Sequence, residues 1–327
     1  MRRSTWRSGL SGRLGLSTRL TLSVLLALVM MVIGVAALVT TPGVSQATLS
    51  TPLYYLSLGD SYSTGFEPSL GSTAGYTAHV AKKLRLTLEN FGCNGATTVS
   101  ILHSTGCGSP ASVNAVPYPA TSQEAAALAF IAAHPGNVGL ITVSIGGNDL
   151  ASCLTQPDPS CRSALTGDVE PNLVTLVTDL RAALDANSDN GTKIIGLTYP
   201  DAFLGSWVYP TVQTTSIRAA DSVYNLDSLF NPALQAIYTE VAHGGFVDVT
   251  SARYRRAKLG DDTNTFDTTT GVSTGPTMVL PPYGKIPTSV WEICTLTFYC
   301  SQGDVHANDK GYAFIGKLIV AASRSIP

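Results

Sequence analysis

Two rhythms of apolar residues alternate along this chain. Leu53-Tyr54-Tyr55-Leu56-Ser57-Leu58 is a mostly apolar run stopped by Gly59-Asp60, which predicts a strand. Tyr76, Val80, Leu84 and Leu88 then recur every four residues, predicting an amphipathic helix through Leu88. Val138 to Ile145 is again near-continuously apolar and is stopped by Gly146-Gly147, as a strand covered on both faces requires. Leu173, Val177, Leu180 and Leu184 form the next helical stripe, and Lys193 to Thr198 the next strand. Helical spacing returns between about Val212 and Ala242; Phe246 to Val249 reads as a short strand, and Tyr312, Ile315, Ile319 and Ala322 mark a closing helix. Strand and helix alternating in this way predict a three-layer α/β/α sandwich around a central parallel sheet.

The first residues follow neither rhythm. Arg2, Arg3, Arg7, Arg13 and Arg19 precede an apolar run from Leu20 to Val39, followed by Pro42 and Ser45-Gln46-Ala47. This reads as a secretory signal peptide of residues 1–47, cleaved after Ala47, with one secreted domain over 48–327. The alternative is an uncleaved anchor holding the domain on the outer face of a membrane, since roughly 20 apolar residues span a bilayer. Between Asp261 and Tyr283 the chain turns to Thr, Gly, Pro and Asp without periodicity, which reads as a surface excursion rather than a second domain.

Composition narrows the function classes. At 44% hydrophobic and 13% charged, the chain is not intrinsically disordered. Removing residues 1–47 takes five of the 20 basic residues and none of the 22 acidic ones, leaving a net charge of -7. That excess argues against nucleic-acid partners and against electrostatic attachment to anionic lipid. Outside the cell, six cysteines suggest three disulfides. They fall as the close couples Cys93/Cys107, Cys153/Cys161 and Cys294/Cys300, so neighbour pairing is the simplest of the 15 connectivities that six cysteines allow. No C-x-x-C occurs and histidines are few, so no metal site is expected.

In open parallel sheets the ligand crevice lies beyond the carboxyl ends of the strands. Three polar blocks stand there: Gly59-Asp60-Ser61-Tyr62-Ser63, Asn94-Gly95-Ala96-Thr97-Thr98 and Gly146-Gly147-Asn148-Asp149. A fourth, Gly303-Asp304-Val305-His306, precedes the last helix. Serine and histidine together have a chemical logic, because a hydroxyl becomes nucleophilic when an imidazole removes its proton and the oxyanion that follows needs preorganised donors.

These four blocks, in this order, resemble the SGNH (GDSL-type) hydrolase family, over about Leu53 to Ser323. The three close cysteine couples look most like its secreted actinobacterial lipases and esterases. The resemblance implies a flavodoxin-like sandwich and an esterase or lipase with no cofactor, acting on a small-molecule or lipid ester as a monomer. It implies that Ser61 is the nucleophile and His306 the general base, and that the Ser61 and Gly95 N–H groups and the Asn148 amide form the oxyanion hole. Many members carry the His-orienting aspartate three residues before the histidine. Here that position is Gly303, and Asp304 lies two before. The group orienting His306 is therefore either the Asp304 carboxylate or a main-chain carbonyl of this segment.

Asp149 reads as a helix N-cap. Gly271-Val272-Ser273-Thr274-Gly275 matches the G-x-S-x-G pattern but lacks the strand before and helix after that a nucleophile elbow needs. Asp261-Asp262-Thr263-Asn264 lacks the glycine and terminal glutamate of a calcium loop. His79, His103, His134 and His243 have no catalytic context. Trp207, Tyr209, Tyr283 and Trp291 are either part of an apolar ester site or loop anchors. Two other functions share the fold: an acyltransferase on the same site, and a non-catalytic carbohydrate or cell-wall binding module.

Overall fold

Tyr54–Gly59 (β1), Thr87–Asn90 (β2), Val138–Ser144 (β3), Lys193–Leu197 (β4) and Gly244–Val247 (β5) form one parallel sheet in the order β2-β1-β3-β4-β5. The computed structural model describes residues 53–108, 112–151, 153–154, 160–209, 221–250, 266–267, 272–273 and 275–326. The chain divides into a unit of residues 1–50 and a unit Thr51–Pro327. The expected signal peptide lies outside the described residues.

Helices α1 (Gly75–Leu84), α2 (Thr98–His103), α3 (Gln123–Ala133), α4 (Glu170–Ala186), α5 (Asn231–Glu240) and α7 (Asp309–Ser325) surround the sheet, and α6 (Thr288–Leu296) packs against α7. Helix α1 packs on α7, while α3, α4 and α5 pack in a row. Between these layers the strands are buried on both faces, so Leu56, Leu58, Ile141, Val143, Ile194 and Ile195 all lie in the core. This is the expected α/β/α sandwich.

The predicted stripes bury as their spacing requires: Leu173, Val177, Leu180 and Leu184 on α4, and Tyr312, Ile315, Ile319 and Ala322 on α7. Asn308 starts α7, its side-chain oxygen accepting from the N–H groups of Lys310 and Gly311 at 3.0 and 3.1 Å. One boundary differs. Helix α1 stops at Leu84, Arg85 takes a left-handed conformation with φ 58°, and Leu88 is a buried residue of β2. A step of four keeps phase with a helix and with a strand alike, so spacing could not separate them. The helical region foreseen from Val212 is described from Asp221 onward and ends at Glu240.

Part of the excursion is ordered into a hairpin, Thr277–Leu280 pairing antiparallel with Gly284–Pro287, which leads into α6. Val272–Ser273 pairs antiparallel with Phe266–Asp267, so Ser273 is not followed by a helix. Asp261, Asp262, Thr263 and Asn264 lie outside the described residues. Leu204, Val223, Ile286, Val290, Ile293 and Tyr299 make a second apolar cluster beside the main core. Trp207, Tyr209 and Trp291 pack against this cluster.

Chain order crosses from β2 back past β1 to β3, so β1 and β3 are neighbours from which the connections depart in opposite directions. Parallel sheets hold their crevice at such a point. The register runs Leu56↔Ile141 through Gly59↔Ser144, so both strands end side by side. Gly59 is required there: its φ is 135°, and a Cβ on it would lie 2.0 Å from the Ser144 carbonyl oxygen.

Candidate active site

Ser61 opens a single helical turn, Ser61–Thr64, directly after β1. Asp60 caps it, its Oδ1 accepting from the Tyr62 N–H at 2.9 Å. Buried Gln123 at the start of α3 fixes the end of β1, accepting from the Gly59 N–H at 2.6 Å and donating to the Gly59 carbonyl at 3.1 Å.

His306 approaches from the other end of the chain. Its Nε2 lies 2.8 Å from Ser61 Oγ and its Nδ1 lies 2.7 Å from Asp304 Oδ1. The same Oδ1 accepts from the His306 backbone N–H at 2.9 Å, so one carboxylate oxygen grips both ends of the residue. The side chains of His306 and Asp304 are 15% and 29% exposed, which leaves the pair open to substrate and water. Tyr62 holds this segment, donating its hydroxyl to the Val305 carbonyl at 2.6 Å while its ring stacks on the His306 imidazole.

The donor candidates converge on the same place. Asn148 stands in the short helix Gly147–Leu150 after β3, and its Nδ2 gives one N–H to the Ala96 carbonyl at 2.8 Å. A primary amide has a second N–H, so this bond orients the group without exhausting it. Gly95 lies in the loop after β2 with φ 77° and with nothing near where a Cβ would stand. Thr64 donates to Asn94 Oδ1 at 2.5 Å, tying that loop to the serine turn. Asp149 does not cap its own helix. Its carboxylate accepts from the N–H and hydroxyl of Thr98, the first residue of α2, at distances from 2.7 to 3.1 Å.

Ser61, Gly95, Asn148 and His306 all line one pocket of about 280 Å³. Leu150, Leu154, Phe203, Leu226 and Phe230 give it an apolar wall. None of Trp207, Tyr209, Tyr283 and Trp291 lines it; the Tyr283 hydroxyl instead donates to the Cys300 carbonyl at 3.0 Å. His79, His103, His134 and His243 lie outside it as well. Among the described residues no group of three or more His, Cys, Asp or Glu is placed to hold a metal ion.

Disulfides join Cys93 to Cys107, Cys153 to Cys161 and Cys294 to Cys300. The first borders the Gly95 loop, and the third closes α6 onto the turn that leads to Asp304. The Phe298 N–H donates to the His306 carbonyl at 3.0 Å, so the bridged segment reaches the histidine directly. Among the described residues no helix is long and apolar enough to cross a membrane.

The sequence profile of the GDSL-like lipase/acylhydrolase family matches residues 57–314. The chain belongs to this family. No curated protein sequence matches it. Solved structures similar to this GDSL-like chain include the Bacillus subtilis protein YXIM, at 15% identity and a TM-score of 0.43, with 84% of this chain and 56% of that one covered. A carbohydrate esterase family 2 enzyme from Corynascus thermopiles (Myceliophthora fergusii) is 14% identical with a TM-score of 0.44, covering 84% of this chain and 67% of that one. The alpha/beta hydrolase LAE5 from the Lake Arreo metagenome is 17% identical with a TM-score of 0.42, covering 85% and 98%.

Tyr199 escaped the sequence reading of this GDSL-like site. It follows β4 by two residues, lines the pocket, and donates its hydroxyl to Asp60 Oδ2 at 2.5 Å. Inspecting the end of β4, as the ends of the three preceding strands had been, would have singled it out. Burial pushes the Asp60 carboxyl up to about 7, against the hydrogen bonds from Tyr199 and the Tyr62 N–H that hold it down.

Proposed function

We propose that this acylhydrolase is a secreted serine ester hydrolase in which Ser61 is the nucleophile, His306 the general base and Asp304 the group that orients it. The observation that carries the reading is the continuous line Asp304 Oδ1, His306 Nδ1, His306 Nε2, Ser61 Oγ, at 2.7 and 2.8 Å across the ring. With Nδ1–H held by the carboxylate, Nε2 presents its lone pair to the serine hydroxyl. Ser61 Oγ adds to the ester carbonyl as its proton passes to Nε2. The Ser61 and Gly95 N–H groups and the free N–H of Asn148 receive the oxyanion. Collapse expels the alcohol, which takes the proton from His306, and water repeats the sequence to release the acid.

The apolar wall fits an uncharged acyl chain. A pocket of about 280 Å³ has room for an acyl chain of medium length, hexanoyl or octanoyl, beside the reacting carbonyl. Each buried methylene should raise kcat/KM about fourfold. Hydrolysis of p-nitrophenyl acetate, butyrate, hexanoate, octanoate and palmitate by residues 48–327, with Ser61→Ala beside it, tests both parts. The expected profile climbs to hexanoate or octanoate and falls at palmitate, with the variant inactive. Equal release by wild type and Ser61→Ala would remove the serine mechanism; a maximum at acetate would remove the acyl-chain reading. Adding an alcohol acceptor separates the hydrolase from an acyltransferase by its products. Three disulfides in the described residues support export to an oxidising compartment.

A further inference from the structure

Three strand ends meet at one hydroxyl. The Gly147 N–H donates to the Tyr199 oxygen at 3.2 Å, and Tyr199 donates to Asp60 Oδ2 at 2.5 Å. The second oxygen of Asp60 accepts from the Tyr62 N–H at 2.9 Å. The Gly147 N–H can only donate and, above about pH 7, the ionised Asp60 carboxylate only accepts, so the direction of the chain is set: amide to phenol, phenol to carboxylate. Gly147 immediately precedes the oxyanion amide of Asn148, and Asp60 immediately precedes the Ser61 nucleophile. Tyr199, arriving from β4, therefore spans the end of β3 to reach that of β1.

We propose that the Tyr199 hydroxyl is a positioning group that holds the Asn148 turn in register with the Ser61 turn by bridging the Gly147 N–H to the Asp60 carboxylate. The inference rests on the serine ester hydrolase reading above and adds a residue to it. The approach is close: a Cβ on Gly147 would lie 2.8 Å from the Tyr199 ring, so only glycine lets the turn settle on the phenol. The same ring meets Tyr62 edge-on with centroids 5.1 Å apart, and Tyr62 holds the carbonyl next to His306. The hydroxyl is buried, and the ring already lines the pocket, so removing the oxygen alone leaves the pocket wall in place.

Tyr199→Phe unties Gly147 and leaves a half-buried amide and a buried carboxylate oxygen unpaired. Because Asn148 acts on the oxyanion and not on the ground-state ester, kcat should fall about ten- to a hundredfold with KM within about twofold of wild type. The deciding measurement is a double-mutant cycle with Asn148→Ala, itself expected to cost about 100- to 1000-fold in kcat. If Tyr199 works through the Asn148 turn, the double variant is as slow as Asn148→Ala alone. Multiplying losses, or a Tyr199→Phe enzyme whose kcat and KM match wild type, would overturn the proposal. If Tyr199→Phe does not fold, Asp60→Asn serves in the cycle, since its amide turns a donor toward Tyr199; the same non-additivity is expected and multiplying losses again overturn it. A wild-type protein that hydrolyses no ester would overturn the hydrolase reading with it, whereas an active wild type with multiplying losses removes the Tyr199 bridge alone.

Discussion

Asp304→Asn should be a mild lesion here, and Asp304→Ala a severe one. One oxygen, Oδ1, accepts both the His306 backbone N–H at 2.9 Å and the ring Nδ1 at 2.7 Å. In an asparagine the carbonyl oxygen has to take that place, because an amide NH₂ turned inward would point its hydrogens at the backbone N–H. The ring therefore keeps an acceptor at Nδ1 and keeps its tautomer, and only the charge is lost. Hydrogen bonds to charged groups contribute about 1.5–3 kcal/mol and neutral ones about 0.5–1.5 kcal/mol, so the change costs about 1–1.5 kcal/mol, or roughly tenfold in kcat. Alanine removes the orienting group altogether, and triad enzymes whose histidine loses its correct tautomer slow by about 10,000-fold. Steady-state kinetics on p-nitrophenyl hexanoate, with far- and near-UV circular dichroism as the folding check, reads the difference. An asparagine variant as slow as the alanine variant would refute the backbone-locked geometry. A near-fully active alanine variant would show that a main-chain carbonyl, not this carboxylate, orients His306.

The two glycines of the site should separate under substitution. Gly59→Ala drives a Cβ to 2.0 Å from the Ser144 carbonyl and should prevent β1 and β3 from pairing, leaving little soluble protein, whereas Gly95→Ala meets open space at φ 77° and should cost only about 1–2 kcal/mol in a thermal melt while slowing turnover. Glu124 on α3 has its carboxyl raised from 4.5 to about 7, first by burial and then by the Asp179 carboxylate. A raised folded value favours the protonated form, so this contribution to stability is complete below about 4.5 and is lost as pH rises through about 7. Melts of Glu124→Gln should therefore show a shallower decline over that window and a higher Tm than wild type at pH 8; an unchanged slope would remove the assignment. Asp60 acts with the same sign, so the slope is reduced and not abolished. Removing the Cys294–Cys300 bridge should cost about 2 kcal/mol for so short a loop, and mild reduction should lower activity before near-UV circular dichroism changes. Loss of both signals together would contradict a role in holding the histidine segment.

Much of the fold and the core of the site are legible in the sequence, because they depend on near neighbours along the chain. Helical stripes such as Leu173 to Leu184, the cap at Asn308 and the strand stops at Gly59 and Gly146 are decided within about four residues. The polar blocks carrying Ser61, Gly95 and Asn148 were readable for a related reason, since parallel strands deliver their catalytic residues just after an apolar run, whereas the His306 block was marked by its place ahead of the closing helix. The same local view failed at Leu88, where one spacing satisfies both periods, and at Asp149, whose carboxylate serves a helix start 51 residues away.

Only the tertiary structure decided which strand ends meet. Placing β1 beside β3, in a register that ends both at Gly59 and Ser144, sets Ser61 opposite Gly147-Asn148; no local pattern specifies the neighbour of a strand or its stagger. Tyr199 and Asp60 are 139 residues apart, and the pocket wall combines Leu150 and Leu154 from the β3–β4 connection with Phe203, Leu226 and Phe230 from the β4–β5 connection, while Trp207, Tyr209 and Trp291, which stood out in the sequence, pack against a second core. Residue type and spacing were enough to nominate a nucleophile, a base and donors. Their distances, the partner of each buried polar atom and the shape left for substrate arise from closing long loops around one sheet, and that closure is a property of the whole chain.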